Sequence, residues 1–212
     1  LNDPYLLATD GHTPSDGNPQ FHQQMVYAVA MKTIWHFEKA LGRRVLWGPR
    51  RVEEHGEIRD EYVGRLRIYP HALREANAYY SPSKKALLFG YFKAPPTEER
   101  RHMPGSVVFT CLSYDIIAHE TAHAILDGIH RRFLEPTNHD VLAFHEAFAD
   151  IVALFQQFTI DELLAHQVER LQGRLSADDE EVGEAGQILG NLARQFGMAI
   201  GRGEALRQFA GT

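Results

Sequence analysis

Cysteine is almost absent from this 212-residue chain: Cys111 stands alone, so no disulfide can form within it and a small disulfide-stapled scaffold is excluded. Long apolar runs are missing too. No stretch approaches ~18 consecutive apolar residues, and Leu1 to Asp10 has neither a basic start nor an apolar run, so neither a membrane span nor a signal peptide is expected. There is no basic excess. Lys plus Arg number 22 against 28 for Asp plus Glu, a formal net charge of -6, which leaves nothing to neutralise a phosphate backbone, so nucleic acid is not an expected partner. What is present, 44% hydrophobic and 24% charged residues, is ordinary for a globular protein and excludes disordered and collagen-like chains. Cytoplasmic and secreted locations both stay open, because large secreted enzymes also lack disulfides, and the composition does not speak to oligomeric state. The chain begins at Leu1 rather than Met and stops at Thr212 without an obvious closing element, so we expect a piece of something longer.

Residues 1–18 are rich in Asp, Gly, Pro and Asn and read as an irregular arm ending at Asn18, an N-cap with Pro19 at the first helical position. Val26, Ala30, Ile34, Phe37 and Leu41 then recur at helical steps, and Gly42 is a natural stop, which predicts a helix from Pro19 to Leu41. From Arg43 to Thr110 short β-prone runs alternate with Gly, Pro and Ser: Val45 to Trp47, Arg65 to Tyr69, Asn77 to Tyr80, Ala86 to Phe92 and Ser106 to Thr110. Charged Arg50 to Asp60 and proline-rich Ala94 to Pro104 read as exposed loops. Helical spacing returns at Leu112, with helices expected near 112–130, 139–157, 159–171 and 184–197, and the acidic run Asp178 to Glu181 is read as a solvated loop or helix start. The expected fold class is α+β: an arm over 1–18, a sheet and an active-site helix pair over 19–158, and a helical C-terminal segment over 159–212.

Chemistry concentrates at His119-Glu120-Thr121-Ala122-His123. On a helix, residues four apart share a face with Cβ atoms roughly 5–6 Å apart, so His119 and His123 can offer two imidazole nitrogens to one zinc ion. Glu120, beside that pair, can reach a water on the metal without ligating it. Twelve histidines make one chance match about 5% probable, so context decides. The flanks, Ile116 to Ala118 and Ala124 to Leu126, are apolar nearly all round, and burying two imidazoles and a carboxylate there costs several kcal/mol unless a metal and hydrogen bonds offset it. A second apolar helix carries His145-Glu146-Ala147-Phe148-Ala149-Asp150. A short connection containing Pro136 predicts an antiparallel helix hairpin in which His123 and Glu146 both lie roughly 10 Å from the turn. Glu146 then supplies a third ligand and leaves a fourth position to water. Asp150, one turn on, is level with His119 and can accept the ring N–H that does not bind metal.

These residues resemble the thermolysin-like zinc metallopeptidases, the gluzincins, which carry His-Glu-x-x-His followed by Glu-x-x-x-Asp. The similarity extends to Asp115-Ile116-Ile117-Ala118 before the motif and to Asn77-Ala78-Tyr79-Tyr80, which is like the family's Asn-Ala-aromatic edge strand; it covers about Phe21 to Phe158. It implies a zincin-like fold, zinc held by His119, His123 and Glu146, Glu120 as general base, and a peptide substrate lying along the edge strand against Asn77 and Ala78. Asp127, one turn after His123, also has a family counterpart and reads as structural. The chain departs from the pattern in three places. Tyr91-Phe92-Lys93-Ala94 replaces an Asp-rich calcium-binding stretch. The interhelical segment offers His130, Arg131 and Arg132 where a Tyr is expected. The only His after Glu146 is His166, which comes early for a catalytic residue.

The leading expectation is therefore a zinc-dependent endopeptidase, and its rival is a non-catalytic zinc-bearing binding or structural module derived from one. The other histidines, His12, His22, His36, His55, His71 and His102, read as surface or packing residues, His139 as a neighbour of a helix cap, and His145 as pointing to a different helix face from its neighbour Glu146.

Overall fold

The computed structural model describes residues 4–94, 105–135, 137–170, 191–192 and 207–208. It is an α+β arrangement of small sheets and helices. The arm is not wholly irregular: Pro4–Ala8 forms a short helix, α1, before the turn at Asp10 and Gly11.

Helix α2, Pro19–Leu41, has the boundaries its sequence dictates: Asn18 accepts the Gln20 N–H at its start, Pro19 opens the first turn, and Gly42 closes it in the left-handed region at φ 65°. Its inner face buries His22, Val26, Val29, Ala30 and Thr33. Thr33 returns its hydroxyl to the Val29 carbonyl, so it enters the core without an unmade hydrogen bond.

Two expectations between Arg43 and Asp60 are corrected. Val45 to Trp47 forms no strand. The Val45 N–H goes to the Glu38 carboxylate, and the Leu46 carbonyl lies so close to the backbone of Gly128 that a Cβ there would come within 1.8 Å of it, which explains the glycine. Arg50 to Asp60 is not a loop but a hairpin, β1 (Arg50–Glu54) with β2 (Glu57–Glu61). The tight turn puts His55 and Gly56 at φ 55° and 83°, the positive pair that matches strand twist. Arg50 faces Glu61 and Arg51 faces Asp60 across it, so opposite charges set its register rather than a buried face.

The main sheet is built around β5, Ala86–Lys93. Strand β3, Arg67–Leu73, runs parallel to it; β4, Ala78–Ser81, is antiparallel on the other side and forms the sheet's edge; β6, Val107–Phe109, pairs antiparallel with its far end. Residues Ala86 to Gly90 are buried, as expected for a central strand covered on both faces. At Gly90 a Cβ would meet the Glu75 and Asn77 carbonyls at 2.2 and 2.5 Å, and the Gly90 N–H instead bonds the Asn77 carbonyl at 2.8 Å. A single 3-10 turn, Thr110–Leu112, then leads into α3, Tyr114–Ile129.

Helix α3 is buried almost throughout, from Ile116 to Ala122 and from Ala124 to Asp127, and lies between α2, the sheet and α4. The short connection holds another 3-10 turn, Arg131–Leu134, after which Asn138 caps α4, His139–Gln157, by accepting the Val141 N–H. Helix α4 is less buried than its apolar sequence suggests. His145, Ala149, Ala153 and Gln156 are buried, whereas Leu142, Phe144, Ile151 and Phe155 are exposed among the described residues. Helix α5, Asp161–Arg170, carries His166. The helix expected over 184–197 is not present at Asn191–Leu192, which pairs with Arg207–Gln208 as strands β7 and β8; it had to run through Gly190, a residue that costs about 1 kcal/mol in a helix interior. The rest of that expected helix, the acidic run Asp178 to Glu181, and the expected loop over 95–104 with His102 lie outside the described residues.

Candidate metal centre and cleft

The helix hairpin brings His119, His123 and Glu146 together. His119 Nε2 is 3.0 Å from His123 Nε2, and the two Glu146 carboxylate oxygens lie 3.4 Å from His119 Nε2 and 3.4 Å from His123 Nε2. Donor atoms around a tetrahedral zinc ion are about 3.3 Å apart. Two neutral imidazoles and a carboxylate also suit that ion chemically, so the residues fit.

Each imidazole is turned by its other nitrogen. His119 Nδ1–H donates to Asp150 Oδ1 at 2.8 Å, the contact that the Glu146-to-Asp150 spacing predicts, and this turns Nε2 toward the site. Burial lowers the His119 pKa, but hydrogen bonds to Asp150 and Glu146 outweigh it and raise the value to about 9, so an ion binding at Nε2 must displace the proton that this nitrogen carries in the metal-free protein. His123 is oriented by a residue the sequence reading misplaces. His145 does not point away: its ring stacks on His123 at 5.4 Å with 21° between planes, and the two Nδ1 atoms are 3.2 Å apart. With Nε2 of His123 turned to the site, its Nδ1–H is free to donate to His145 Nδ1. Burial and the neighbouring His123 lower the His145 pKa, keeping it neutral and able to accept. The geometric reason is simple. Adjacent helical positions differ by about 100°, and a docking helix covers an arc wide enough for both; here His145 is the buried one and Glu146 sits at the mouth, its side chain 49% exposed.

Glu120 lines the cleft beside the three donors, with one oxygen held by the sheet. Its Oε2 accepts the Tyr80 backbone N–H at 2.9 Å. Burial pushes its carboxyl above the ordinary carboxylate range, against the opposing pull of His119 and His123. Because Tyr80 offers its N–H to this side, strand alternation turns the backbone of Ala78 the same way, along the open edge of β4. The Asn77 Oδ1 atom accepts the Ala78 N–H at 2.9 Å and the Asn77 side chain is exposed. A cleft of about 320 Å³ runs between this strand edge and α4, lined by Ala78, Tyr79, Tyr80 and Pro82 on one side and Leu142 and Glu146 on the other.

Asp127 locks the strand to the helix. Its Oδ2 accepts from Lys85 Nζ at 2.6 Å and from the Tyr80 hydroxyl at 2.5 Å, and both charged side chains are 6% exposed. The family resemblance singles out Asp127 as structural, whereas Lys85 carries no signal of its own because surface lysines look the same. At the far end Asp115 accepts from the Gln157 amide, joining the first turn of α3 to the last of α4. His130 and Arg132 in the connection are exposed. No protein-family model, curated protein or solved structure matches the chain.

Proposed function

We propose that the protein is a zinc-dependent metallopeptidase with a zincin-like fold, in which His119, His123 and Glu146 hold the ion and Glu120 is the general base. The observation that carries this reading is the convergence of three donor side chains, with contacts of 3.0–3.4 Å between them and a buried carboxylate beside them. A zinc ion held there supplies Lewis acidity toward a peptide carbonyl and acidifies water. An extended substrate backbone adds to the open edge of β4, alongside Asn77 and Ala78. The Tyr80 N–H fixes one oxygen of Glu120, which leaves the other to take a proton from the attacking water and pass it to the departing amine nitrogen. Burial raises the affinity of that carboxylate for a proton, which suits a group that must hold one between the two transfers. Asp150 and His145 keep the two imidazoles turned to the site.

The test is Glu120→Gln. The variant keeps size and the Tyr80 hydrogen bond but cannot accept a proton, so zinc content should stay at one ion in this centre while peptide hydrolysis falls by about 10²–10⁴-fold in kcat. Equal hydrolysis by the variant overturns the assignment of the base. The described lining of the cleft contains no lysine or arginine to stabilise an oxyanion, which favours a second reading, a zinc-bearing binding module. Bound zinc with no hydrolysis of varied peptides by either protein decides for it.

A further inference from the structure

A second group of metal-ligating side chains lies outside the cleft, where α2, β3 and the turn before α3 meet. His22 Nδ1 and His71 Nε2 are 2.8 Å apart, and one ring nitrogen of each and the Cys111 sulfur all lie within 4.8 Å of one another. Sequence alone could not pair them, since they are 49 and 40 residues apart and share no spacing motif.

The tautomer of His22 is fixed by its surroundings. Its Nε2 is 3.0 Å from the Asp16 carbonyl oxygen. A carbonyl only accepts, so Nε2 carries the proton and Nδ1 presents a lone pair to the point shared with His71 and Cys111. A ring nitrogen donating to a backbone carbonyl while the other faces a donor cluster is how metal-binding histidines are held. Phe109 packs on both rings, at 4.5 Å from His22 and 5.2 Å from His71, and Tyr91 meets His71 edge-on at 6.0 Å. This apolar collar limits the rotamers of both. His22 and Cys111 are buried at 1% and 0% exposure, whereas His71 is exposed and gives an ion a way in.

We propose that His22, His71 and Cys111 form a second metal site, for a thiophilic ion of the zinc class, distinct from the His119–His123–Glu146 centre. Two imidazoles and a thiolate match the preference of zinc for nitrogen and sulfur donors and leave the fourth tetrahedral position on the exposed side. The nitrogen pair opens from 2.8 Å toward about 3.3 Å on binding, a shift that the exposed His71 can make. The thiol proton leaves to solvent, and His71 moves its proton from Nε2 to Nδ1, so each ion releases one proton here. The site does not depend on the function proposed for the cleft.

Cobalt(II) titration of the metal-stripped, reduced protein separates the two sites, because only one contains sulfur. We expect two equivalents per chain, one of them giving a near-ultraviolet thiolate-to-cobalt charge-transfer band. Cys111→Ala should lose the band and that equivalent, and His71→Ala, altered at an exposed position, should weaken it by more than about 100-fold, beyond what an outer-shell partner contributes. His123→Ala should lose the other equivalent and keep the band. Absence of the band in the folded parent protein, its persistence in the Cys111 variant, or an unchanged cobalt affinity of the thiolate site in the His71 variant overturns the proposal.

Discussion

Asp127→Asn offers a demanding test of how the cleft is held together. The carboxylate, buried at 5% exposure, is the counterion of Lys85, also 5% exposed, and the acceptor of the Tyr80 hydroxyl. Asn is nearly isosteric and can still accept from Tyr80, so the substitution removes charge and little else. It strands an ammonium group in a space without a counterion, and breaking a buried pair from one side costs about 3–5 kcal/mol. For a chain of this size each kcal/mol shifts Tm by about 2–4 °C, which predicts a fall of roughly 6–20 °C. Lys85→Met should cost a similar amount by stranding the carboxylate. The double variant Lys85→Met with Asp127→Asn should be much closer to the parent, because the penalty is the unpaired charge rather than the lost attraction. Stability is read from denaturant and thermal unfolding of the metal-free protein, which keeps metal affinity out of the comparison. If both single variants stay within about 0.5 kcal/mol of the parent, the pair behaves like a surface contact and the reasoning fails.

Three further outcomes follow from the geometry. Asp150→Asn should weaken zinc at the His119 centre by about 10–100-fold, since a neutral amide supports the ring less well than a carboxylate; competition with a chromophoric chelator measures it, and unchanged affinity would reduce Asp150 to a polar neighbour. His145→Phe retains a ring against His123 but removes the Nδ1 acceptor, and should weaken the same site by a comparable factor of about 10–100, read in the same assay. Gly128→Ala should lower stability by about 1–3 kcal/mol or more, the cost of overpacking, because its Cβ would have to displace the Leu46 carbonyl; a folded variant with unchanged Tm would mean that the 44–49 segment yields freely.

What the sequence revealed depended on whether a signal was local. Helix α2 could be bounded to the residue because Asn18, Pro19 and Gly42 act through their own backbone. The His119, His123, Glu146 and Asp150 set could be grouped because helical spacing and a short connection nearly determine it. The β1–β2 hairpin escaped notice because charges decorate both its faces, and without a buried face there is no alternation to detect. The facing of His145 depends on how wide an arc of α4 is docked, which spacing along the helix does not give. His22, His71 and Cys111 meet only through tertiary packing, so no window along the chain contains their relation.

The bond between Glu120 and the Tyr80 N–H ties a side chain that the proposed mechanism cannot replace to a group that every residue except proline possesses. Tyr79 and its neighbours along the cleft can therefore be exchanged freely as far as that tether is concerned. Variation of the strand's side chains can retune what the groove accepts while the carboxylate stays where it is. A one-residue insertion or deletion in Ala78–Ser81 has the opposite character: it moves the amide by about 3.3 Å and turns it to the other side of the strand. Diversification of this groove should thus proceed by replacement of residues and not by changes in strand length.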